Sequence, residues 1–243
     1  MKISTDISMS TPPIKPPIGG AVESALQRLL MMIMCGDLSP GEQIRQQEMA
    51  GQFGISRVPL REALNVLAQQ SLLVHRPNQG YFVAKRGPGE LAQIRRMLHL
   101  LENEVMKTLH WPTEGELAQL RAINDSIRAT VDQEHWADLQ RLNRDFHNFI
   151  LTLSPFQLIT EEIRRLFTLA DPFFGAKFQR VSARALTVQE HDLIIDALAL
   201  QDRSALMQAV EAHRYSNVEG LTQTIAGQAS VTTSAWEAAR EKA

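Results

Sequence analysis

Residues 55 to 67, Ile-Ser-Arg-Val-Pro-Leu-Arg-Glu-Ala-Leu-Asn-Val-Leu, decide how this chain folds. Ser56 is a residue type that caps helix N-termini, and Pro59 falls in the first turn, where a missing N–H costs nothing. Leu60, Ala63, Leu64 and Leu67 repeat at the spacing of one buried helix face, so the pattern predicts a helix over 57–70. Arg57 and Arg61 are four residues apart and share another face, at the end where the helix begins. Such a helix suits a DNA major groove. Arginine forks pair with guanine O6 and N7 or with phosphate oxygens, and the Ser56 hydroxyl and first N–H groups can hold a phosphate. Two arginines alone would equally fit a solvated basic helix end, so the neighbouring segments must decide.

They favour the reader. Residues 21–35 have helical apolar spacing and stop at Gly36. Leu38-Ser-Pro-Gly41 is a turn, and residues 46–53 form a short second helix closed by Gly54. After the arginine helix, Leu72-Leu-Val-His-Arg76 and Tyr81-Phe-Val-Ala-Lys85 flank Pro77-Asn-Gln-Gly80. Turn residues between β-favouring runs predict a hairpin. Three helices and a hairpin make a winged helix-turn-helix over residues 21–86.

Gly87-Pro-Gly89 reads as a compact linker, and strand signals stop there. A long amphipathic helix is expected from 90 to about 110. Thr113 and Glu116 form a capping box for the next, and a third runs from about 135 to 153. Ser154-Pro155 opens a fourth, which Asp171-Pro172 interrupts. Thr187 and Glu190 open a fifth, and Asp202 caps a sixth. The expected fold is mainly α: an N-terminal winged helix-turn-helix followed by an all-helical bundle of six or seven helices over 90–226. Residues 1–20, rich in Ser, Thr, Pro and Gly, read as a disordered tail rather than a signal peptide. Residues 227–243 read as a second flexible tail.

With 243 residues, 44% of them hydrophobic, the chain has room for two modest domains. Its charge is unevenly spread. Residues 1–86 hold nine Lys/Arg and six Asp/Glu, and the remainder holds 16 and 21. A mildly basic front and an acidic back suit a DNA module joined to a part that does not touch DNA. A single cysteine, Cys35, excludes a disulfide framework and fits a reducing cytoplasm. It reads as a small buried hydrophobe. No run approaches the roughly 18 apolar residues of a membrane span, so no membrane partner is expected.

The helical half carries a second constellation. Asn143 and His147 are four apart on one helix face, and His191 and His213 lie on later helices. Three imidazoles and an amide oxygen on three helices could meet inside a bundle and suit Zn²⁺, Ni²⁺ or another divalent transition ion. Histidines scattered on amphipathic helices are also commonly plain core or surface residues, and spacing does not separate the two. His75, His110 and His135 read as structural, and Phe173, Phe174 and Phe178 as packing residues.

Leu38-Ser-Pro-Gly-Glu42, Gln52-Phe-Gly-Ile-Ser-Arg-Val-Pro-Leu-Arg-Glu-Ala-Leu64 and Pro77-Asn-Gln-Gly-Tyr-Phe-Val83 together resemble the signature of the GntR superfamily of bacterial transcription regulators. The resemblance implies that Arg57 and Arg61 touch DNA, that Ser56 anchors the backbone, and that Gln79 and Gly80 at the wing tip enter the adjacent minor groove. Where the family often has threonine before Pro59, this chain has Val58, whose methyls could meet a thymine methyl. Gln47 stands where some members carry a basic residue, with Arg45 nearby to supply that phosphate contact.

Asn143-Arg-Asp-Phe-His147, Glu190-His-Asp-Leu-Ile-Ile-Asp-Ala-Leu198 and the Ala205 to His213 segment are similar to the FadR-type, or FCD, effector domain. That resemblance implies Asn143, His147, His191 and His213 as metal ligands and small carboxylates as effectors. Many members have aspartate where Asn143 stands, so one negative charge is missing. Asp145, two residues on, points elsewhere. Members without the full ligand set bind other ligands without metal, which keeps a metal-free pocket open. Arg95 matches an arginine near the family's pocket, where it could fork an effector carboxylate or else face solvent beside Arg96. His99 stands where members often carry glutamate. The implied function is a cytoplasmic, ligand-responsive repressor that binds a palindromic operator as a homodimer, not an enzyme. The competing class is a metal-dependent hydrolase, in which three histidines and a water activate a nucleophile. Only Asp145 and Glu190 offer a general base for it, and the winged helix would have no purpose.

Overall fold

A computed structural model describes residues 19–133, 137–174, 178–214 and 216. The expected tails, apart from residues 19 and 20, and His135 lie outside the described residues. The chain begins with α1 (Gly20–Cys35), β1 (Gln43–Ile44), α2 (Gln46–Phe53), α3 (Arg57–Gln69), β2 (Leu73–Arg76) and β3 (Gly80–Val83). Leu29 and Ile33 of α1 meet Leu60, Leu64 and Leu67 of α3 in a fully buried core. That is the apolar face read from the sequence. Arg28 ties α1 to the end of α2. Its Nη1 donates to the Phe53 carbonyl at 3.1 Å and its guanidinium covers the Phe53 ring at 3.8 Å. Gly54 closes α2 with φ 68°, a conformation only glycine adopts without strain.

The wing is a three-stranded antiparallel sheet of order β1-β3-β2. Val74 faces Phe82 and Arg76 faces Gly80 across the hairpin, while Gln43 faces Phe82 on the other side. β1 is two residues long, too short to show alternation, and the sequence pattern missed it. Ser56 stands at the N-cap of α3 with extended backbone, but its hydroxyl makes no capping bond. This corrects the expected side-chain cap. The first N–H groups of α3 emerge at an exposed helix end, where solvent or a ligand satisfies them.

The second half comprises α4 (Pro88–Thr108), α5 (Glu114–Arg128), α6 (Ala137–Thr152), α7 (Gln157–Phe174), α8 (Val181–Ala199) and α9 (203–214). α4 packs on α7, and α5 packs on both α6 and α8. Phe146, Leu120, Leu139 and Ile163 are among the side chains buried at the centre. Thr113 and Glu116 form the expected capping box, and Asp202 accepts from Ala205 N at 2.9 Å to start α9.

Three expectations are corrected. Gly87-Pro-Gly89 is not a compact linker ahead of the helix but its beginning. Gly87 is the N-cap of α4 and Pro88 its first residue, leaving 84–87 as the connection. Arg86 fixes that connection by donating to the Ser71 carbonyl at 2.8 Å and pairing with Glu90. Asp171-Pro172 does not interrupt α7, because Pro172 lies close to the helix end and its missing N–H removes one terminal bond. Thr187 and Glu190 do not open α8. The helix starts at Val181, and the Thr187 hydroxyl donates back to the Ala183 carbonyl at 2.9 Å, as mid-helix threonines do. His191 therefore sits mid-helix rather than in a first turn.

The two halves have separate cores and meet where α1 packs against α6 and α7. Cys35 lies half-buried and without a disulfide at the end of α1. Burial pushes its thiol pKa up, reinforced by Asp37 and by Asp138 of α6.

Candidate functional site

The arginine helix presents its polar face to solvent. Ser56, Arg57, Val58 and Arg61 are exposed and Pro59 is half-buried, while Leu60, Ala63 and Leu64 face inward. Val58 is 66% exposed, on a helix whose leucines are fully covered. Arg57 Nη2 donates to Gln47 Oε1 at 2.7 Å, so α2 and α3 are bridged at this surface. Arg45 precedes α2 and pairs with Glu48 at 3.2 Å, with both side chains mostly in water. Such a pair holds Arg45 weakly, and it can be exchanged for another anion. Pro77, Asn78 and Gln79 form the exposed wing tip. Gly80 takes φ 86°, and Gln43 Nε2 donates to the Gln79 carbonyl at 2.6 Å. The predicted reader residues thus occupy the starts of α2 and α3 and one hairpin tip.

In the helical half, α6, α8 and α9 bring His147, His191 and His213 together, with one ring nitrogen of each within 4.8 Å of the others. His213 Nε2 lies 3.2 Å from His147 Nε2. His191 and His213 are buried, and Phe146 stacks flat on His191 with centroids 3.7 Å apart. Asn143 lies one turn before His147 on α6. Its Oδ1 is fully buried and has no hydrogen-bond partner among the described residues. A buried amide oxygen is nearly always partnered. A bare one beside converging imidazoles fits a cation, so the residues present suit a divalent transition ion.

These residues border a cavity of about 350 Å³ between α4, α6, α7 and α9. Asn143, His147 and His213 line it together with Arg95 and His99 of α4; His191 does not line it. Arg95 is half-buried, unlike its exposed neighbour Arg96. The cavity wall also holds charged residues that sequence reading did not single out, Glu102, Arg144, Glu211 and Arg214 among them. Arg214 donates to Glu102 at 2.9 Å and to Asn103 at 2.7 Å, while its Nη2 is buried with no acceptor among the described residues. Burial raises the Glu102 pKa, and Arg214 partly offsets that rise. Arg144 meets Asp171, and burial pushes its pKa down to about 10. Arg144 and Arg214 directly follow Asn143 and His213 in sequence, a signal that was available.

Behind the histidines stand two further polar residues. His213 Nδ1 lies 2.8 Å from Glu190 Oε2, which also accepts from the Ser216 hydroxyl at 3.0 Å. His191 Nδ1 lies 3.2 Å from Asn124 Oδ1, and Asn124 Nδ2 donates to the Val188 carbonyl and to Asp192. Asn124 had no sequence signal, being a lone amide on an amphipathic helix.

A winged helix with an arginine-bearing start, joined to a helical bundle around a polar cavity, defines a two-part DNA-binding sensor class. Comparison with known proteins makes this specific. Residues 21–83 match the model of bacterial regulatory proteins of the gntR family, and residues 90–215 match the FCD domain. The chain belongs to the GntR family of transcriptional regulators, with an FCD domain as its second part. It is 25% identical over 187 residues to the HTH-type transcriptional repressor RspR of Escherichia coli (strain K12), covering 76% of this chain and 82% of RspR. It is 25% identical over 194 residues to the Nta operon transcriptional regulator of Aminobacter aminovorans, covering 77% and 88%. Among solved structures, E. coli McbR/YncC superposes with a TM-score of 0.72 at 21% identity, covering 84% of this chain and 98% of that one. A GntR regulator from Rhodococcus sp. RHA1 gives 0.69 at 20% identity, covering 83% and 97%. The chain is therefore a DNA-binding transcriptional regulator with an effector-binding domain, in a family of regulators rather than enzymes. FCD domains often bind metals. Among the described residues, no helix is long and apolar enough to cross a membrane.

Proposed function

We propose that this regulator binds a palindromic operator as a homodimer in the cytoplasm, and that a small carboxylate effector held at a metal site in the FCD domain controls its affinity. The observation that carries the proposal is the buried Asn143 oxygen, which has no hydrogen-bond partner among the described residues and lies one turn before His147, whose ring converges with those of His191 and His213. Asn143, His147, His191 and His213 would hold Zn²⁺ or Ni²⁺, which would supply Lewis acidity for a carboxylate oxygen. Arg95 is half-buried on the cavity wall and suits a bidentate carboxylate contact, with His99 one turn further along α4. At the other end of the chain, Arg57, Val58 and Arg61 would read base edges from the start of α3. Ser56 with Pro59, Arg45 and Gln47 would set the helix on the phosphates, and Gln79 and Gly80 would reach the minor groove.

One winged helix reads one half-site, so a dimer reads two related by its own symmetry axis. The effector acts only through a difference in its affinity for the arrangements with good and poor operator spacing. Repression agrees with RspR, whose name makes it a repressor. Protein purified without chelator tests the metal site: elemental analysis is expected to give about one transition ion per chain. His147→Ala with His213→Ala is expected to abolish that content without unfolding the bundle. Full occupancy in the double variant would overturn the assignment. A thermal-shift panel of hydroxy acids and sugar acids then tests the effector class, with saturable stabilisation expected only in metal-loaded protein. Saturable stabilisation of the metal-free protein would instead favour a cavity in which Arg144 and Arg214 alone take the anion.

A further inference from the structure

The four ligands proposed above are all neutral: three imidazoles and an amide. A divalent ion bound by them alone would bring two positive charges into a bundle where His191 and His213 are almost fully buried. A compensating charge lies behind the histidines. Glu190 precedes His191 on α8, and its side chain turns to His213 of α9, where Oε2 lies 2.8 Å from Nδ1. The Glu190 side chain is only 10% exposed. The same oxygen accepts from the Ser216 hydroxyl, so two donors hold the carboxylate in place.

We propose that Glu190 is the outer carboxylate of the metal site: it fixes His213 with Nδ1 as donor and Nε2 toward the ion, and it restores the negative charge that Asn143 withholds. This rests on the metal-site reading above. The geometry supports the tautomer independently of any ion. A carboxylate oxygen can only accept when ionised, so the facing Nδ1 must carry the proton and the Nε2 lone pair is left to point away. That Nε2 lies 3.2 Å from His147 Nε2. Two nitrogens each at about 2.0–2.1 Å from one ion at a tetrahedral angle are roughly 3.3–3.4 Å apart, close to this separation.

Asn124 completes the arrangement for His191. Its amide nitrogen donates to both the Val188 carbonyl at 3.2 Å and Asp192 at 2.8 Å, which fixes its oxygen toward His191 Nδ1. His191 is thus also a Nδ1–H tautomer with Nε2 offered. The two outer partners differ in charge: Asn124 orients its histidine, while Glu190 orients and compensates. An imidazole hydrogen-bonded to a carboxylate is a more basic ligand, and loss of such partners typically weakens metal binding 10–100-fold. Glu190 is a positioning residue, acting on the ion only through His213.

Zn²⁺ affinity, measured by competition with a chromophoric chelator, tests this. Glu190→Gln keeps the size and one acceptor oxygen but removes the charge. It is expected to weaken Zn²⁺ binding about 10–100-fold, with an unchanged circular dichroism spectrum of the metal-free protein. Adding Asn143→Asp to that variant returns a carboxylate directly to the ion and is expected to recover most of the affinity. Unchanged affinity in Glu190→Gln would overturn the role of Glu190 while leaving the metal site standing. Weakened affinity with no recovery in the double variant would overturn charge compensation. A wild-type protein that binds no Zn²⁺ would overturn both this inference and the reading beneath it. Imidazole ¹⁵N shifts of wild-type protein need no variant to fold. They are expected to report Nδ1–H at His213, and an Nε2–H tautomer there would refute the proposal.

Discussion

The Arg57 guanidinium does not wave freely on the surface. Gln47 holds it at 2.7 Å, from a helix that ends before the arginine helix begins. That contact lowers the entropy still to be lost when Arg57 meets a base or phosphate. Arg57→Ala is expected to reduce operator affinity by roughly 1–3 kcal/mol in a gel-shift titration. Gln47→Ala should cost less, and the double variant should lose less than the sum of the two single losses, because the two side chains are hydrogen-bonded to each other. Additive losses would show that the contact between them contributes nothing to operator binding. Glu102 makes a different kind of residue prediction. Burial raises its pKa above the ordinary 4.5, more than Arg214 lowers it. A raised carboxyl pKa means the folded state holds the proton more tightly, so stability is lost as pH rises through the folded-state value. Urea unfolding should therefore show Glu102→Gln gaining on the wild type between about pH 4 and neutrality. A variant that loses ground to the wild type as pH rises would contradict the sign.

Elements were legible in proportion to how local their cause is. α2 was read from its spacing and Gly54, and the Thr113 capping box and the Asp202 cap needed only residues three positions apart. Thr113→Ala is expected to cost about 1 kcal/mol in chemical denaturation. α8 was misread because two faces of it are covered, leaving no amphipathic edge to find its start, and Thr187 looked like a cap. β1 is defined by its partner β3 rather than by its own two residues. The site followed the same rule. Asn143 and His147 declare themselves by sharing a helix face. His191 and His213 were placed by resemblance, and their meeting with His147 depends on how three helices pack. Asn124, Arg144 and Arg214 matter only because of that packing. Phe146 joins the two levels, being fully buried and stacked on His191. Phe146→Ala is expected to cost about 3–5 kcal/mol of stability by urea titration. A loss under about 1 kcal/mol would mean that the core closes over the gap.

At the scale of the molecule, two cores of separate composition meet where α1 of the winged part packs on α6 and α7. The charge is divided the same way, with the basic excess in the first 86 residues. Operator affinity should therefore fall linearly with the logarithm of salt concentration, and Arg45→Ala, at a residue placed on the phosphates, should flatten that slope by about one. An unchanged slope would overturn that phosphate contact. The α1–α6 contact has a consequence that runs the other way. α6 carries Asn143 and His147 on one stretch and Asp138, close enough to α1 to act on Cys35, on another. Coupling between two equilibria has no preferred direction: whatever factor an effector imposes on operator affinity, the operator imposes on effector affinity. DNA would then act on the sensing half without touching it. A regulator resting on its operator and one free in solution would answer the same metabolite at different concentrations.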